Sequence, residues 1–290
     1  MEQYLQIIIS GIAQGAVYSV FAFGLSLVYG IARVLNFAHG SFYMAGAYIA
    51  WILSVGYLDL GYPAVFAILV PALFAIGLVF ERLVIRPLRS SRNWRMATMM
   101  VTLGFAFFLD NLSLILFGPQ DKLLPPFVTG RLVLGGMVFS HHEVAIFAAA
   151  VAIVIALELF LYRTMIGSAM RAIAQDVQGA RMVGIDTNQV SGYTFGLSVV
   201  LAGVAGVLLA PIYLISPLGG WPPFLKAFVI VVFGGLGSTR GVLYAALILG
   251  VVEALVIFEL GATWIMPVWL LTLLVVLMVR PQGLLGVWGR

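Results

Sequence analysis

Long apolar runs alternate along this chain with short clusters of charged and turn-forming residues. The runs predict helices near 7–30, 41–57, 63–81, 97–117, 144–162, 190–215, 241–258 and 264–279, with an additional short run at 225–234. At 1.5 Å of rise per residue, roughly 20 apolar residues cross the hydrocarbon of a bilayer. The pattern therefore predicts an all-α fold, a polytopic transmembrane helix bundle of about 8–10 membrane segments with interrupted or re-entrant helices. Residues 1–290 read as a single transmembrane domain with a cytoplasmic loop at 163–189 and an outer loop at 118–143. The first apolar run, from Leu5, has no basic stretch before it and is too long for a cleavable signal, so none is expected.

Charge orients these segments. The densest basic loop, with Arg82, Arg86, Arg89, Arg92 and Arg95, belongs in the cytoplasm, together with Arg163, Arg171 and Arg181 and the tail carrying Arg280 and Arg290. Two spans separate the first loop from the second, which agrees. For the tail to return to the same side, 225–258 must cross an even number of times, as two short spans broken at Gly234 to Gly241 or as a re-entrant segment. Counting back three spans from Arg82 puts Met1 and Glu2 outside, provided that no extra crossing is hidden at 30–40. In the outer loop, Leu132-Val133-Leu134 and Met137-Val138-Phe139 flank Gly135-Gly136, a two-residue hairpin pattern.

The cytoplasmic loop carries a further helix pattern. With Ser168 as its N-cap, a helix over 170–184 places Met170, Ile173, Val177, Ala180 and Gly184 on one face and Arg171, Gln175, Gln178 and Arg181 on the other. Gly184 then allows a turn at positive φ, and Asp186 with Gln189 resembles a capping box opening the next span. Such a helix either lies on the membrane surface or inserts its apolar face into a cytoplasmic partner.

Composition supports the membrane reading and removes most other chemistry. Apolar residues make up 63% of the 290 and charged ones only 9%, with mean hydropathy +1.13, against about a quarter charged in soluble domains. Net charge is +4, but thirteen of the fifteen basic residues are arginines, mostly in inter-span loops, so they serve topology rather than nucleic acid. There is no cysteine, and no nucleophile, zinc-protease or phosphate-loop motif, so the chain is not expected to be an enzyme or to hydrolyse ATP itself. His141, His142 and Glu143 are adjacent and do not point at one ion, so no metal site is expected.

A translocation pathway has two sets of candidates. Asn36 to Gly40 and Gly234 to Gly241 interrupt apolar segments about 200 residues apart, each with a Gly-Ser pair (Gly40-Ser41, Gly237-Ser238) near the start of the following helix. Irregular backbone at membrane depth lines a cavity or is buried in protein, which makes Asn36, His39, Gly40, Ser41, Gly234, Gly235, Gly237 and Ser238 candidate pathway residues. Gly11-x3-Gly15 and Gly192-x3-Gly196 read instead as close helix contacts. The intramembrane acids Asp110, Glu158 and Glu253 are costly. Asp110 and Glu253 are candidates to meet a zwitterionic solute, while Glu158 has Arg163 nearby and Asp110 equally suits the outer interface. An ion-gradient-driven secondary transporter would use the same acids for coupling and is the competing reading.

Four colinear motifs resemble the permease subunits of ABC importers for branched-chain amino acids. They are Arg171-Ala172-x-Ala174-x-Asp176 followed by Gly184-Ile185; Asn36-Phe37-Ala38-His39-Gly40 with Met44-Ala45-Gly46-Ala47-Tyr48; Gly234-Gly235-Leu236-Gly237-Ser238-x-x-Gly241; and Arg280-Pro281-Gln282-Gly283-Leu284. The likeness is to the shorter of that family's two permease subunits, with Gln175 departing where an acidic residue is common. It implies a multi-pass inner-membrane protein that binds no cofactor of its own. Its partners would be a second permease subunit, in a homo- or heterodimer, two cytoplasmic ATPases that use ATP, and an external solute-binding protein. It further implies that 168–184 is the coupling helix, with Arg171, Ala172, Ile173, Ala174, Asp176, Val177 and Gly184 engaging the ATPase. Members of the same superfamily carry urea or short amides, and no motif here chooses between those solutes and leucine, isoleucine or valine.

Overall fold

A computed structural model describes residues 2–134 and 136–285, so the side expected for Gly289 and Arg290 lies outside the described residues. The elements run α1 (Glu2–Ala32), α2 (His39–Trp51, prolonged by a π turn Ile52–Gly56), α3 (Tyr62–Phe80), which passes through a π turn Glu81–Ile85 into the short α4 (Arg86–Leu88), and α5 (Trp94–Phe117). The strands β1 (Arg131–Leu134) and β2 (Met137–Ser140) follow, then α6 (His141–Arg163), α7 (Met165–Gln175), α8 (Val177–Met182) and α9 (Thr187–Leu209). The chain continues with α10 (Trp221–Gly234), α11 (Thr239–Glu259) and, after a 3-10 turn at Ala262–Trp264, α12 (Ile265–Val279).

Among the described residues seven helical segments are long and apolar enough to span a bilayer, and α2 and α10 are shorter inserts between them. This is the polytopic helical bundle that the apolar runs predict. The run expected to continue to 215 stops at Leu209, because Pro211 supplies no backbone N–H to carry the helical ladder onward. As expected, 225–258 is not one helix: α10 ends at Gly234, where Gly235 takes φ +104°, and α11 starts at Thr239.

All described arginines except Arg131 gather toward one end of the bundle. The opposite end holds the hairpin, in which Leu132 pairs with Phe139 and Val133 with Val138. Gln6 Nε2 donates to the Val138 carbonyl (2.8 Å) and Tyr4 OH to Glu259 (2.7 Å), which places the start of α1 at the hairpin end, away from the arginines, as charge predicts.

Helices α1 and α9 are the most enclosed and α12 the least. Their contacts depend on missing side chains, because backbones can approach only where no Cβ intervenes. Gly11 and Gly15 face Val251 and Ala246 of α11, and a Cβ on Gly11 would lie 2.8 Å from Val251 Cα. Gly77 of α3 meets Gly196 of α9, whose pair was read as a close contact; Gly192 has looser surroundings. Gly46 of α2 lies directly on Gly203 of α9. Gly46→Val is therefore expected to cost about 1–3 kcal/mol or more through overpacking, read as a lower Tm of the detergent-solubilised protein. Gly104→Ala, with no atom within 4 Å of the added methyl, is expected to hold or raise it.

Candidate functional site

The first interruption enters the bundle from the arginine-rich end. After α1, Arg33 adopts φ +53° and its guanidinium donates to the Ala174 carbonyl (2.9 Å). Asn36 is buried and its Oδ1 accepts from Ala38 N (3.1 Å), while Phe37 N donates to Thr102 Oγ1 (3.2 Å), so the broken backbone is satisfied by α5 and by itself. Helix α2 thus begins inside the bundle. His39 is fully buried there, stacked on Phe21, with Nε2 against the Phe21 carbonyl (2.9 Å) and Nδ1 near Ser198 Oγ (3.4 Å).

The counterpart of that break differs from the one predicted. Gly40 abuts Gly220, one residue before α10, rather than the Gly234 to Gly241 stretch. Between the two helix starts lies Asp110 of α5, 3% exposed, whose oxygens accept from Ser41 Oγ (2.9 Å) and Trp221 Nε1 (2.8 Å). Two helix N-termini carry partial positive charge toward the same region, which offsets part of the cost of burying a carboxylate. Asp110 therefore pins the first turns of α2 and α10 to α5 from a buried position. The signal that sequence reading missed was Gly219-Gly220-Trp221-Pro222-Pro223, since prolines in the first turn mark a helix start.

Gly234, Gly235, Gly237 and Ser238 instead lie at the arginine-rich end. Ser238 Oγ caps α11 by accepting from Gly241 N (3.2 Å). The last carbonyls of α10 are capped from the tail: Leu284 N donates to Phe233 O (2.7 Å) and Leu285 N to Gly234 O (3.1 Å). The terminal Arg280 to Leu284 motif is thus the lid of a broken helix. Gly237, Ser238 and Arg240 line a groove of about 950 Å³ together with Gly30 and Arg33 of the α1 end and Arg171 of α7. Glu158, whose expected partner was Arg163, lies 4.0 Å from Arg240 across an exposed contact.

Glu253 was recognised as an intramembrane acid, but its partner Lys226 was not. Lys226 Nζ lies 2.6 Å from Glu253 Oε1 and 2.9 Å from Tyr18 OH; Tyr18 OH also reaches Glu253 Oε1 (3.0 Å), and Trp269 Nε1 donates to Oε2 (2.9 Å). The rings of Tyr18, Trp269 and Tyr213 surround the ammonium. A charge pair inside a bundle persists only when its remaining donors and acceptors are satisfied, and these contacts supply that. Beside it opens a cleft of about 240 Å³ between α1, α2, α9 and α10, toward the hairpin end. Its tip is closed by the segment after α9, where Lys122 and Ile215 exchange backbone hydrogen bonds (2.8 and 2.9 Å).

At the arginine-rich end the single predicted helix over 170–184 is two. Thr164, not Ser168, caps α7 by accepting from Gly167 N (3.0 Å). Asp176 breaks the helix in extended backbone (φ −148°) and caps α8 by accepting from Gln178 N (2.9 Å). The expected apolar face is also corrected: Met170, Ile173 and Ala180 are buried in the hydrophobic core of this same chain, whereas Val177 and Gly184 are exposed. Ala172 and Ala174 are half-buried, and Arg171 stacks on Tyr162 (4.4 Å). The apolar side chains left uncovered are Met165, Met182 and Val183, at 92%, 87% and 77% exposure. Gly184 takes the expected positive φ (+85°), and Asp186 Oδ1 caps α9 by accepting from Asn188 N and Gln189 N. The reciprocal half of the capping box is not made, since Gln189 donates to Tyr193 OH (3.1 Å).

Removing one member of the buried pair leaves the other charge unpaired, so Lys226→Met is expected to cost about 3–5 kcal/mol, measured as a fall in Tm and in folded yield. Lys226→Gln combined with Glu253→Gln, which removes both charges and keeps polar groups in place, is expected to recover most of the loss.

Comparison with known proteins adds the lineage. Residues 7–279 match the family described as "Branched-chain amino acid transport system / permease component". The chain is 34% identical to the high-affinity branched-chain amino acid transport system permease protein BraD of Pseudomonas aeruginosa, and equally to LivH of Escherichia coli strain K12, in each case over 98% of this chain and 96% of the relative. It is also 29% identical to the Escherichia coli K12 permease protein LivM, over 93% of this chain and 68% of that one. With a bundle of membrane-spanning helices, breaks sealed inside it and a match over nearly its whole length, this multi-pass membrane protein belongs to the family of permease components of branched-chain amino acid ABC importers.

Proposed function

We propose that this chain forms half of the translocation pathway of an ATP-driven importer of leucine, isoleucine and valine. In this reading it pairs with a second permease subunit in the inner membrane, takes solute from an external binding protein, and is moved by two cytoplasmic ATPases. The carrying observation is nearly full-length similarity to permeases named for branched-chain amino acids. Those names favour aliphatic amino acids over urea or short amides. The ion-driven alternative is less well supported, because the family is one of ABC permease components and a secondary carrier needs no ATPase-facing helices.

The arginine-rich end supports the coupling role. Arginine excess marks the cytoplasmic side, and there α7 and α8 turn one face onto their own bundle and leave Met165, Met182 and Val183 bare. Exposed apolar side chains of this size beside polar neighbours fit a protein contact better than water. We assign the ATPase contact to these residues with Val177, while Ile173 anchors the helix from inside.

Reconstituted with its partner permease, ATPases and binding protein, the chain is expected to take up leucine only with ATP. Uptake driven by an ion gradient without ATP would refute the class. Met182→Asp with Val183→Asp is expected to abolish co-purification of the ATPase, because a charge would enter a desolvated contact, whereas Thr129→Asp at the hairpin end is expected to retain it. Ile173→Asp is expected to lower folded yield instead. Undiminished ATPase capture by the Met182/Val183 variant would remove these residues from the contact.

A further inference from the structure

The cleft beside Lys226 has the composition of a binding site rather than of a gap left between helices. Its walls are apolar, from Met44 and Ala47 of α2, Leu209 and Leu214 at the end of α9, and Pro222 of α10. At its polar side stand Lys226 and the hydroxyl-bearing Tyr18, Tyr43 and Tyr213. The carboxylate of Glu253 is already engaged by Lys226, Tyr18 and Trp269, and it does not line the cleft. Of the three ammonium protons of Lys226, Glu253 and Tyr18 take two. The Tyr43 hydroxyl has no hydrogen-bond partner among the described residues. The cleft therefore presents spare donors on one side and aliphatic surface on the other.

Charge narrows the occupant further. Lys226 and Glu253 cancel, so a ligand that is itself neutral overall enters this low-dielectric space at the least cost, while a net anion or cation would leave an uncompensated charge. A carboxylate suits Lys226 and Tyr43, both of which line the cleft. We propose that this cleft is the intramembrane subsite for an aliphatic amino acid, holding its carboxylate at Lys226 and Tyr43 and its side chain against Met44, Ala47 and Leu209. The inference rests on the importer reading and supplies residues that bind the solute.

The rival role is a purely structural clamp, in which the pair only fastens α10 to α11 and α12. Tyr43→Phe separates the two, because it deletes a hydroxyl that holds nothing within the protein. In proteoliposomes containing the complete complex, with ATP and saturating binding protein, Tyr43→Phe is expected to lower the leucine uptake rate about tenfold, the scale of one hydrogen bond to a charged group. The Lys226→Gln/Glu253→Gln variant is expected to co-purify with its partners and, per assembled complex, to lower uptake further. Wild-type uptake rates in Tyr43→Phe would overturn the subsite while leaving the importer reading intact. Failure of the wild-type complex to take up leucine would overturn the importer reading instead.

Discussion

Hydrocarbon offers no hydrogen bonds, so each backbone group released by a broken helix must find a partner inside the protein. That constraint accounts for where this chain interrupts itself. The break before α2 lies against Thr102 and the Asn36 side chain, the start of α10 is tied through Trp221 to Asp110, and the end of α10 is capped by Leu284 and Leu285. The enclosed positions of α1 and α9 follow, because short helices such as α2 and α10 need long neighbours to cover them. Glycine contacts at Gly46–Gly203 and Gly40–Gly220 then set how near those neighbours come.

Much of the bundle was readable from the chain because apolar run length reports membrane thickness directly. The hairpin, the Asp186 cap, the turn at Gly184 and the interruption after Gly234 all follow from local residue chemistry, and all are present. What could not be read was which break meets which. Gly40 pairs with Gly220 rather than with Gly234 to Gly241 because α10 starts inside the bundle, a tertiary fact with only two prolines as a local sign. Lys226 was overlooked for a related reason: it lies in a run too short to be counted as a full span. Of the expected apolar face only Met170, Ile173 and Ala180 are buried, and periodicity does not tell a helix's own core from a partner's surface. Ile173 faces the former.

Two concavities share α1. The cleft touches it at Tyr18, and the groove at the arginine-rich end touches it at Ser26 and Leu27. The eight steps from Tyr18 to Ser26 rise about 12 Å, and the residues between them include Ala22 and Leu25, fully buried like Val229, Ile230 and Val231 of α10. The conformation is therefore closed in its middle and hollow toward both ends. A permease that alternates access needs this barrier to be movable, and here it combines aliphatic contacts with the stacked rings of Phe21 and His39.

The same helix offers a mechanical link to the ATPase-facing end. Arg33, just after α1, holds the Ala174 carbonyl of α7, and Gly30 lies against both Ala174 and Gly237. From Arg33 to Tyr18 the chain is continuous helix apart from its last residue, a distance of about 22 Å at 1.5 Å per residue, so a displacement of α7 relative to α9 reaches the Lys226 cluster through a rod rather than through loops. Asp110 supplies the opposing restraint by holding the starts of α2 and α10 to α5. In the proposed importer, force applied at Met182 and Val183 would therefore be resolved between a helix that moves with α7 and a carboxylate latch that keeps the two broken helices in place. The cleft lies between them.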